Sequence, residues 1–419
     1  MSLFCHVLLC VASMSTASEN FSNARQYALG GAYTAMTEGA ESVFTNPANL
    51  YLNRNHKFSM SLMGLGAEIS NNAISHLLYQ RYNGDYLDES EIDDILNHIP
   101  NDGVNLRSDA KIQGINIGYG PFAVGVRGIF SYSSYFAREL FELALKGNEV
   151  DRIYRFDPIK GDGMSIGVAG LAVGKAISFD RSVVKNFAFG ATFNYLHGLS
   201  YTRVTDSHFY SQTTFDTIEG QGQFTVDYSE GGKGYGVNLA TTVALFNDIR
   251  ASVVVENVYS VMRWTKNSQQ ITFQLDLNQN RITSLFDQNG NVDSLLVTRE
   301  SNTRIPEFVL VMPSIIRFGM MVPLSQAFII CGEYEISSYE TAISSISPRS
   351  AVGFEWRPNR VLQMRAGGSF GGTLETHLSA GLGLCLNRFC WDLAVRSYNG
   401  ITSNTAMGFG VATSVSIRY

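Results

Sequence analysis

The chain has 419 residues, of which 45% are hydrophobic, 12% aromatic and only 16% charged, whereas ordinary soluble domains carry roughly 25% charged residues. The 31 basic and 37 acidic side chains give a formal net charge of −6, which excludes the basic surface that nucleic-acid binding requires. Beyond the N-terminus the sequence has no run of about 18 apolar residues, so it does not predict a transmembrane helix.

Residues 1–18 have the composition of a cleavable secretory signal. An apolar stretch from Leu3 to Met14 is followed by the small residues 15–18. No Lys or Arg precedes the apolar stretch, and a buried N-terminal segment of a cytosolic protein is the alternative interpretation. We therefore predict a signal peptide over residues 1–18.

From Lys57 onward, apolar residues alternate with small or polar ones, as they do over residues 407–419. Successive side chains of a strand point to opposite faces, so each such segment presents one apolar, aromatic face and one small, polar face. A soluble β-sandwich would instead carry Lys and Glu on its outward face. The pattern predicts a membrane β-barrel with a lipid-facing exterior and a polar interior.

Fourteen such segments are present, and bacterial outer-membrane barrels need an even number of strands. The connections after even-numbered segments are short, as at Asn247–Asp248, with 179–186 the one longer exception, which places them in the periplasm. The odd-numbered connections include the long ones, 67–109, 132–163, 206–233 and 263–312. Residues 222–229 alternate as well and are predicted to be a strand extension above the membrane; an additional strand is the alternative. The predicted fold is an all-β, antiparallel transmembrane barrel with strands at about 57–66, 110–119, 121–131, 164–178, 187–205, 234–246, 249–262, 313–322, 326–336, 349–357, 361–370, 376–386, 389–397 and 407–419.

Two cysteines provide a check on the strand register. A two-residue turn at Asn387–Arg388 would place Cys385 opposite Cys390, both on the inner face. An oxidising periplasm permits a disulfide between them, and two free thiols are the alternative. Cys331 is predicted to be unpaired, as a small residue of the lumen.

Residues 19–56 precede the first strand and lack its alternation. Gly30 and Gly31 permit close approach and positive φ, while Asn46–Pro47 is a turn initiator. These are the properties of a plug, so we predict that residues 19–56 form a hatch inside a barrel of residues 57–419. The predicted hatch residues are Gly30, Gly31, Asn46, Pro47 and Ala48.

The hatch sequence resembles the N-terminal hatch of the FadL superfamily of outer-membrane proteins. Residues 28–35, ALGGAYTA, followed by Asn46-Pro47-Ala48, are similar to the family pattern LGxGGAxxA…NPA. The resemblance implies a fourteen-stranded barrel in the bacterial outer membrane. The superfamily includes uptake channels for fatty acids and aromatic hydrocarbons. It also includes PorV-like proteins, which partner type IX secretion and gliding machinery in Bacteroidota.

Apolar residues at helical spacing occur in the first two long loops, around Ile92–Ile99 and Phe136–Ala144. By the resemblance, helices at the barrel mouth would collect a hydrophobic ligand and pass it to a pocket beside the hatch. The alternative is that their apolar sides pack on each other or on the rim. The candidate substrate-binding residues are Phe44, Leu77, Leu78, Ile95, Leu96, Phe136, Leu140 and Phe141.

The predicted function is passive transport of hydrophobic small molecules, long-chain fatty acids or hydrocarbons, by a monomeric barrel surrounded by outer-membrane lipid. The sequence has no His-Glu-x-x-His, Gly-x-Ser-x-Gly, Cys-x-x-Cys or P-loop motif, so we expect no enzyme activity, no metal and no cofactor. Inner-face charges of both signs, such as Arg317, Glu333 and Glu355, are expected to pair inside a plugged lumen. The alternative function is PorV-like binding of a secretion-system protein through the loops, which the polar segment 263–312 suits.

Overall fold

A closed antiparallel β-sheet dominates the computed structural model of the chain. Its first strand, β1 (Phe58–Asn71), pairs with β2 (Val104–Tyr119) and also with the last strand, β17 (Gly408–Arg418). Closure leaves the barrel wall without a free edge. The predicted signal peptide lies outside the described residues, which are 23–54, 58–84, 86–179, 183–281, 296–339, 341, 344, 346–372, 376–402 and 404–418.

The strands form a wall that is 14 strands around. The 17 strands occupy 14 positions because some share one position. The short strand β4 pairs with β6 and shares the position of β5, and β9, β10 and β11 pair with successive parts of β8 and share one position. Each of the fourteen predicted segments coincides with one position in this wall, so the predicted fold is confirmed. The other strands are β3 (Phe122–Phe136), β4 (Ile153–Arg155), β5 (Lys160–Ser178), β6 (Val184–Thr213), β7 (Thr217–Leu245), β8 (Arg250–Arg281), β9 (Leu296–Arg304), β10 (Phe308–Leu310), β11 (Ile315–Pro323), β12 (Phe328–Ser337), β13 (Arg349–Trp356), β14 (Leu362–Gly371), β15 (Thr376–Leu386) and β16 (Phe389–Tyr398).

The two long connections predicted at 206–233 and 263–312 are largely strand, which corrects the sequence interpretation. β6, β7 and β8 run for 30, 29 and 32 residues, and β9 extends the same ladder. The segment 222–229, predicted as a strand extension, lies within β7. Because each extended strand finds an antiparallel partner, the backbone hydrogen bonds continue beyond the rest of the wall. We call this raised part of β6–β9 the projecting sheet.

Tight connections gather at one end of the barrel, which we call the turn end; the other is the loop end. At the turn end, β15 and β16 are joined by Asn387 and Arg388, with Asn387 at φ 57°. Gly120, at φ 53°, connects β2 and β3 in the same way. These positive φ values favour Asn and Gly, so the turn chemistry agrees with the predicted register.

The outer face of the wall is apolar and the inner face polar. On β15 and β16, Leu382, Trp391 and Val395 are 49%, 42% and 58% exposed, whereas Asp392 and Arg396 are buried. This is the alternation of a barrel whose exterior contacts lipid.

Short helices lie inside the barrel and at its loop end. Inside are α1 (Ala24–Ala28), α2 (Ser42–Thr45) and two 3₁₀ segments; at the loop end are α3 (His76–Tyr82), α4 (Glu89–His98) and α5 (Arg138–Lys146). The predicted loop helices are present, but Phe136 ends β3 and does not begin α5. No helix among the described residues is both long and apolar enough to span a membrane.

Candidate functional site: the hatch and the lumen

Hatch residues 23–54 pack inside the turn-end half of the barrel. From Asn23 to Tyr51 every residue except Glu38 is buried. Asn23 caps α1 by accepting a hydrogen bond from the Gln26 amide at 2.8 Å. Since this buried surface comes from a segment with few large side chains, the wall must approach its backbone closely.

Glycines of the wall provide that close approach. A Cβ added to Gly190 would lie 2.3 Å from the carbonyl carbon of Pro47, and one added to Gly367 would lie 2.2 Å from that of Leu29. At Gly332 the nearest atom would be 3.8 Å away, which is ordinary contact. The strands against the hatch therefore have no room for a side chain at Gly190 and Gly367.

The predicted turn Asn46-Pro47-Ala48 is tied to both the hatch and the wall. Asn46 has extended backbone, as the residue before a proline requires. Its Nδ2 donates to the Thr34 carbonyl at 2.9 Å and to Thr242 Oγ1 at 3.0 Å, and its Oδ1 accepts from the Ala48 amide at 3.1 Å. The side chain thus fixes the turn and connects it to β7.

Glu355 is the buried anion that joins the hatch to one side of the wall. Arg25 of α1 donates to its two oxygens at 2.7 and 2.9 Å, and Arg365 of β14 donates at 2.6 Å. Arg365 also contacts Asp392 at 2.6 Å. Each charge in this group has at least one partner of opposite sign, which offsets the cost of burying it.

Glu333 joins the hatch to the neighbouring strands. Its Oε2 accepts from the backbone amides of Tyr33 and Thr34 at 3.1 and 2.9 Å. Arg349 lies 3.3 Å from Oε1 and also donates to the Gly30 carbonyl at 3.2 Å. The charges that the sequence places on the inner face therefore pair as predicted, with the hatch as a partner.

An apolar column rises from the hatch on one side of the lumen. Tyr201 packs its ring 5.6 Å from that of Trp264 and 5.4 Å from that of Phe308. At its base Phe44 lies under the Arg127 guanidinium, at 4.5 Å from the ring centre. We define the apolar column by the buried wall residues Ile129, Met164, Ile166, Val168, Leu196, Tyr201, Met262, Trp264 and Met312, which cluster with Val43, Phe44 and Leu50 of the hatch.

The candidate substrate-binding residues fall into separate places. Phe44 lies in the lumen, whereas Leu96 is buried in a loop-end cluster with Ala73, Ile99 and Val104. Phe141 of α5 packs against that cluster. Leu78 is also buried and Leu77 is exposed, while Ile95, Phe136 and Leu140 are half-buried. Most of the apolar residues of the loop helices thus pack against one another, as in the alternative in which these helices do not collect a ligand.

A large cavity, which we call the vestibule, opens at the loop end above the hatch. Its volume is about 800 Å³, in the upper part of the usual range of ligand pockets, about 300–1,000 Å³. The lining is mostly polar and includes Arg107, Ser134, Tyr135, Lys160 and Arg203. The lumen thus offers polar surface at its mouth and an apolar column below it.

Cys385 and Cys390 pair directly across β15 and β16, in the register that the two-residue turn predicts. Their Cα atoms are 4.1 Å apart and the structure records a disulfide between them. Cys331 is a buried free thiol that donates to the Gly353 carbonyl at 3.4 Å. Metal-binding groups of three or more His, Cys, Asp or Glu do not occur among the described residues.

Some site residues carry no sequence signal. Asn49 accepts from Thr242 Oγ1 at 2.7 Å and donates to the Thr37 carbonyl at 3.0 Å, so it locks the hatch as firmly as Asn46 does. Trp264, the largest fully buried side chain, lies in a segment that the sequence assigns to a loop. In both cases the sequence does not reveal which strand the residue contacts, and that contact is what gives the residue its role.

The closed wall, the apolar exterior and the internal hatch define an outer-membrane β-barrel of the plugged kind. Comparison with known proteins refines this class. Residues 47–247 match the model of a family of unknown function (DUF5723). No curated protein matches the sequence.

Solved structures share the fold over nearly the whole chain. The toluene transporter TbuX of Ralstonia pickettii has 12% identity and a TM-score of 0.51, with 96% of this chain and 99% of TbuX covered. The toluene transporter TodX of Pseudomonas putida has 10% identity and a TM-score of 0.50, with 97% and 98% covered. The monoaromatic hydrocarbon channel CymD has 13% identity and a TM-score of 0.50, with 95% and 97% covered. The chain has the FadL-type barrel fold, and these neighbours are channels and transporters, not enzymes.

Proposed function

We propose that this barrel moves hydrophobic small molecules, hydrocarbons or long-chain fatty acids, passively across the outer membrane. In this proposal residues 1–18 are a removed signal, residues 19–56 are the hatch and residues 57–419 form the barrel, acting as a monomer. The observation that carries the proposal is the apolar column, which leads down from the level of the vestibule to Phe44 of the hatch.

The pairing of β1, β2 and β3 is interrupted at the level of the hatch. The ladder between β1 and β2 passes from Ser61↔Asn116 directly to Gly64↔Gln113, and β2 and β3 have a register shift at the same place. A small cavity there is lined by the hatch residue Asn23 and by Leu65 of the outer face. Bulges commonly occur at functional sites, so we assign lateral release into the membrane to this interruption.

The FadL-type neighbours support the class of substrate, since TbuX and TodX are described as toluene transporters and CymD as a monoaromatic hydrocarbon channel. In this chain the rings of Tyr201, Trp264 and Phe308 would contact an apolar or aromatic solute entering the column. The half-buried Ile95 and Leu140 and the exposed Leu77 would collect the solute at the mouth.

The test is uptake of labelled toluene and labelled oleate by cells that express the barrel. Ile166→Gln places an amide in the apolar column and is expected to reduce uptake about tenfold, because burying an unpaired amide against an apolar solute is unfavourable. Ile153→Gln is the matched control, since Ile153 is 50% exposed on β4. Equal uptake by both variants and the parent, all folded to the same extent, would contradict the proposal.

A second candidate function is PorV-like binding of a secretion-system protein. The observation in its favour is the projecting sheet, whose last strand, β9, pairs only with β8 among the described residues. The other edge of β9 presents backbone groups to which an extended segment of a partner could add. If this second function is correct, a barrel without residues 269–304 should no longer bind the partner protein and should still take up hydrocarbon. Loss of hydrocarbon uptake without loss of partner binding would favour transport.

A further inference from the structure

A short row of basic side chains crosses the outer face of β6, β7 and β8. His197 of β6 pairs directly with Lys233 of β7, which in turn pairs directly with Arg263 of β8. Each of the three is exposed, whereas the residues before and after it on its strand are buried. Alternation therefore points all three side chains away from the lumen. We call these three residues the basic row.

The charge of the basic row is not balanced within the chain. Like charges directly opposite each other on a sheet are destabilising, and Lys233 and Arg263 are placed in that way. Neither side chain forms an ion pair with another of the described residues. Glu230, nearer the loop end of β7, instead accepts hydrogen bonds from Tyr228 at 2.6 Å and Asn267 at 2.7 Å. An anion from outside the chain would relieve this repulsion.

The basic row lies at the level of a membrane boundary. His197 is about 37 Å along β6 from Asn186 at the turn end, at about 3.4 Å per residue. A strand tilted by about 40° rises roughly 28 Å over that length, whereas the apolar band of such barrels is about 25 Å tall. Because the short turns of outer-membrane barrels face the periplasm, the basic row is level with the head groups of the outer leaflet.

Aromatic side chains directly below the basic row mark the same boundary. Tyr195 of β6 pairs directly with Tyr235 of β7. The Tyr235 ring stacks on the rings of Phe193 and Tyr259, with centres 6.4 and 5.8 Å apart. We call these four residues the aromatic patch. Aromatic residues gather where hydrocarbon meets head groups, so a lipid whose acyl chains lie on the aromatic patch has its head group at the basic row.

Other strands carry apolar side chains at the loop-end part of their outer face. Ile69 of β1, Phe370 of β14 and Phe409 of β17 are 52%, 59% and 42% exposed there. A general attraction to anionic lipid would require cations all around the barrel. Three basic residues on three adjacent strands instead indicate a local site.

We propose that the basic row binds the phosphate group of a phosphorylated glycolipid in the outer leaflet of the membrane. Lys233 and Arg263 donate to the phosphate oxygens, for which the forked guanidinium is well suited. A ring N–H of His197 supplies a further donor, and the acyl chains pack on the aromatic patch. The shared anion replaces repulsion between neighbouring cations by attraction. This site lies outside the lumen and does not depend on the proposed transport.

The experiment uses native mass spectrometry of the full-length barrel in mild detergent to count bound lipids. The barrel is titrated with lipid A and, in parallel, with lipid A whose phosphate groups have been removed. We expect saturable binding of lipid A that weakens with added salt. The dephosphorylated lipid should bind at least about tenfold more weakly, because hydrogen bonds between charged groups are stronger than neutral ones.

The double variant Lys233→Gln, Arg263→Gln should also bind lipid A at least about tenfold more weakly than the parent. Lys175→Gln is the matched control, because Lys175 is an exposed lysine of β5 near the turn end, and it should bind as the parent does. All three substitutions replace exposed side chains, so the barrel is expected to remain folded.

Equal affinity for lipid A and its dephosphorylated form would overturn the proposal. Equal affinity of the double variant and the parent, or an equal loss in Lys175→Gln, would do the same. The same spectra report on a second occupant: a dimer that the parent forms and the double variant loses would assign the basic row to another copy of the chain. Toluene uptake reports on transport separately, since the double variant leaves the lumen unchanged.

Discussion

Glu355 shows how a single side chain holds the hatch in the barrel. It is fully buried, and Arg25, Arg365 and Arg357 all converge on it. Glu355→Gln keeps the shape and removes the charge, which leaves three guanidinium groups without their shared anion. Breaking a buried ion pair costs about 3–5 kcal/mol, so the free energy of unfolding should fall by about that amount.

The measurement is the unfolding of the purified barrel as a function of urea concentration. Folded and unfolded barrel migrate differently on gels, and this difference in mobility gives the fraction unfolded. Glu300→Gln changes the same group on the exposed surface of β9 and should leave the midpoint within error. Identical midpoints for Glu355→Gln and Glu300→Gln would show that the Glu355 charge does not stabilise the hatch.

The prediction of a disulfide between Cys385 and Cys390 is also decided at the residue scale. Both side chains are buried and face the lumen next to the short turn. We expect denatured, unreduced barrel to incorporate one alkyl group per mature chain, on Cys331, and reduced barrel to incorporate three, counted by mass spectrometry. Three without reduction would mean that the pair is two free thiols.

Local residues were predictable from the sequence, and their distant partners were not. Asn46–Pro47 predicts a turn because proline restricts the backbone of the residue before it. The Cys385–Cys390 register follows from a turn of two residues. In contrast, Arg25 and Glu355 are 330 residues apart and Asn46 and Thr242 are 196 apart. Only closure of the barrel brings those pairs together, so no local pattern encodes them.

At the scale of elements, Glu142 of α5 forms one ion pair within the helix, with Arg138, and one outside it, with Arg152. Burial raises the pKa of the Glu142 carboxyl, but the hydrogen bonds from Arg138 and Arg152 outweigh it and hold that pKa below its ordinary value. The ion pairs therefore stabilise α5 above about pH 4.5 and are lost as the pH falls through the lower folded value. We expect amide hydrogen exchange in residues 138–146 to accelerate below that pH, after correction for the intrinsic rate.

Glu142→Gln provides the control for this pH dependence. The amide group is neutral at every pH, so the variant should exchange faster than the parent at neutral pH and show little further change on acidification. A parent-like pH profile in Glu142→Gln would assign the effect to another titrating group.

The projecting sheet shows where element prediction failed. The alternation of 222–229 predicts a strand, whereas the Asn, Gln and Ser residues of the segment after 262 predict a loop where the structure continues β8 to Arg281. β-propensity depends on the cross-strand neighbours, and here the pairing of β8 with β7 and β9 decides the outcome. The count of strands was unaffected, since each extension lies on a strand that was already predicted.

For the whole molecule, the central issue is how well the hatch seals the lumen. A methyl group on Gly190 would collide with the Pro47 backbone at 2.3 Å, so Gly190→Ala should displace the hatch from β6. We expect Gly190→Ala to leak small ions in planar bilayers where the parent is closed, without loss of the folded barrel.

Gly332→Ala is the matched control, because the added methyl group would have its nearest neighbour at 3.8 Å. It should remain closed. If Gly190→Ala conducts as few ions as Gly332→Ala, the hatch accommodates the methyl group without opening a path for ions. The seal would then depend on the ionic contacts at Glu333 and Glu355.

The height of the wall is uneven around its circumference. β13 has 8 residues and β8 has 32, which at about 3.4 Å per residue correspond to strands of roughly 27 and 109 Å. The wall is therefore low at β13 and tall along the projecting sheet, which stands out from the loop end on one side of the mouth. A ligand approaching the mouth meets this tall edge on one side and a low rim at β13, so the loop end presents two unlike borders to its surroundings.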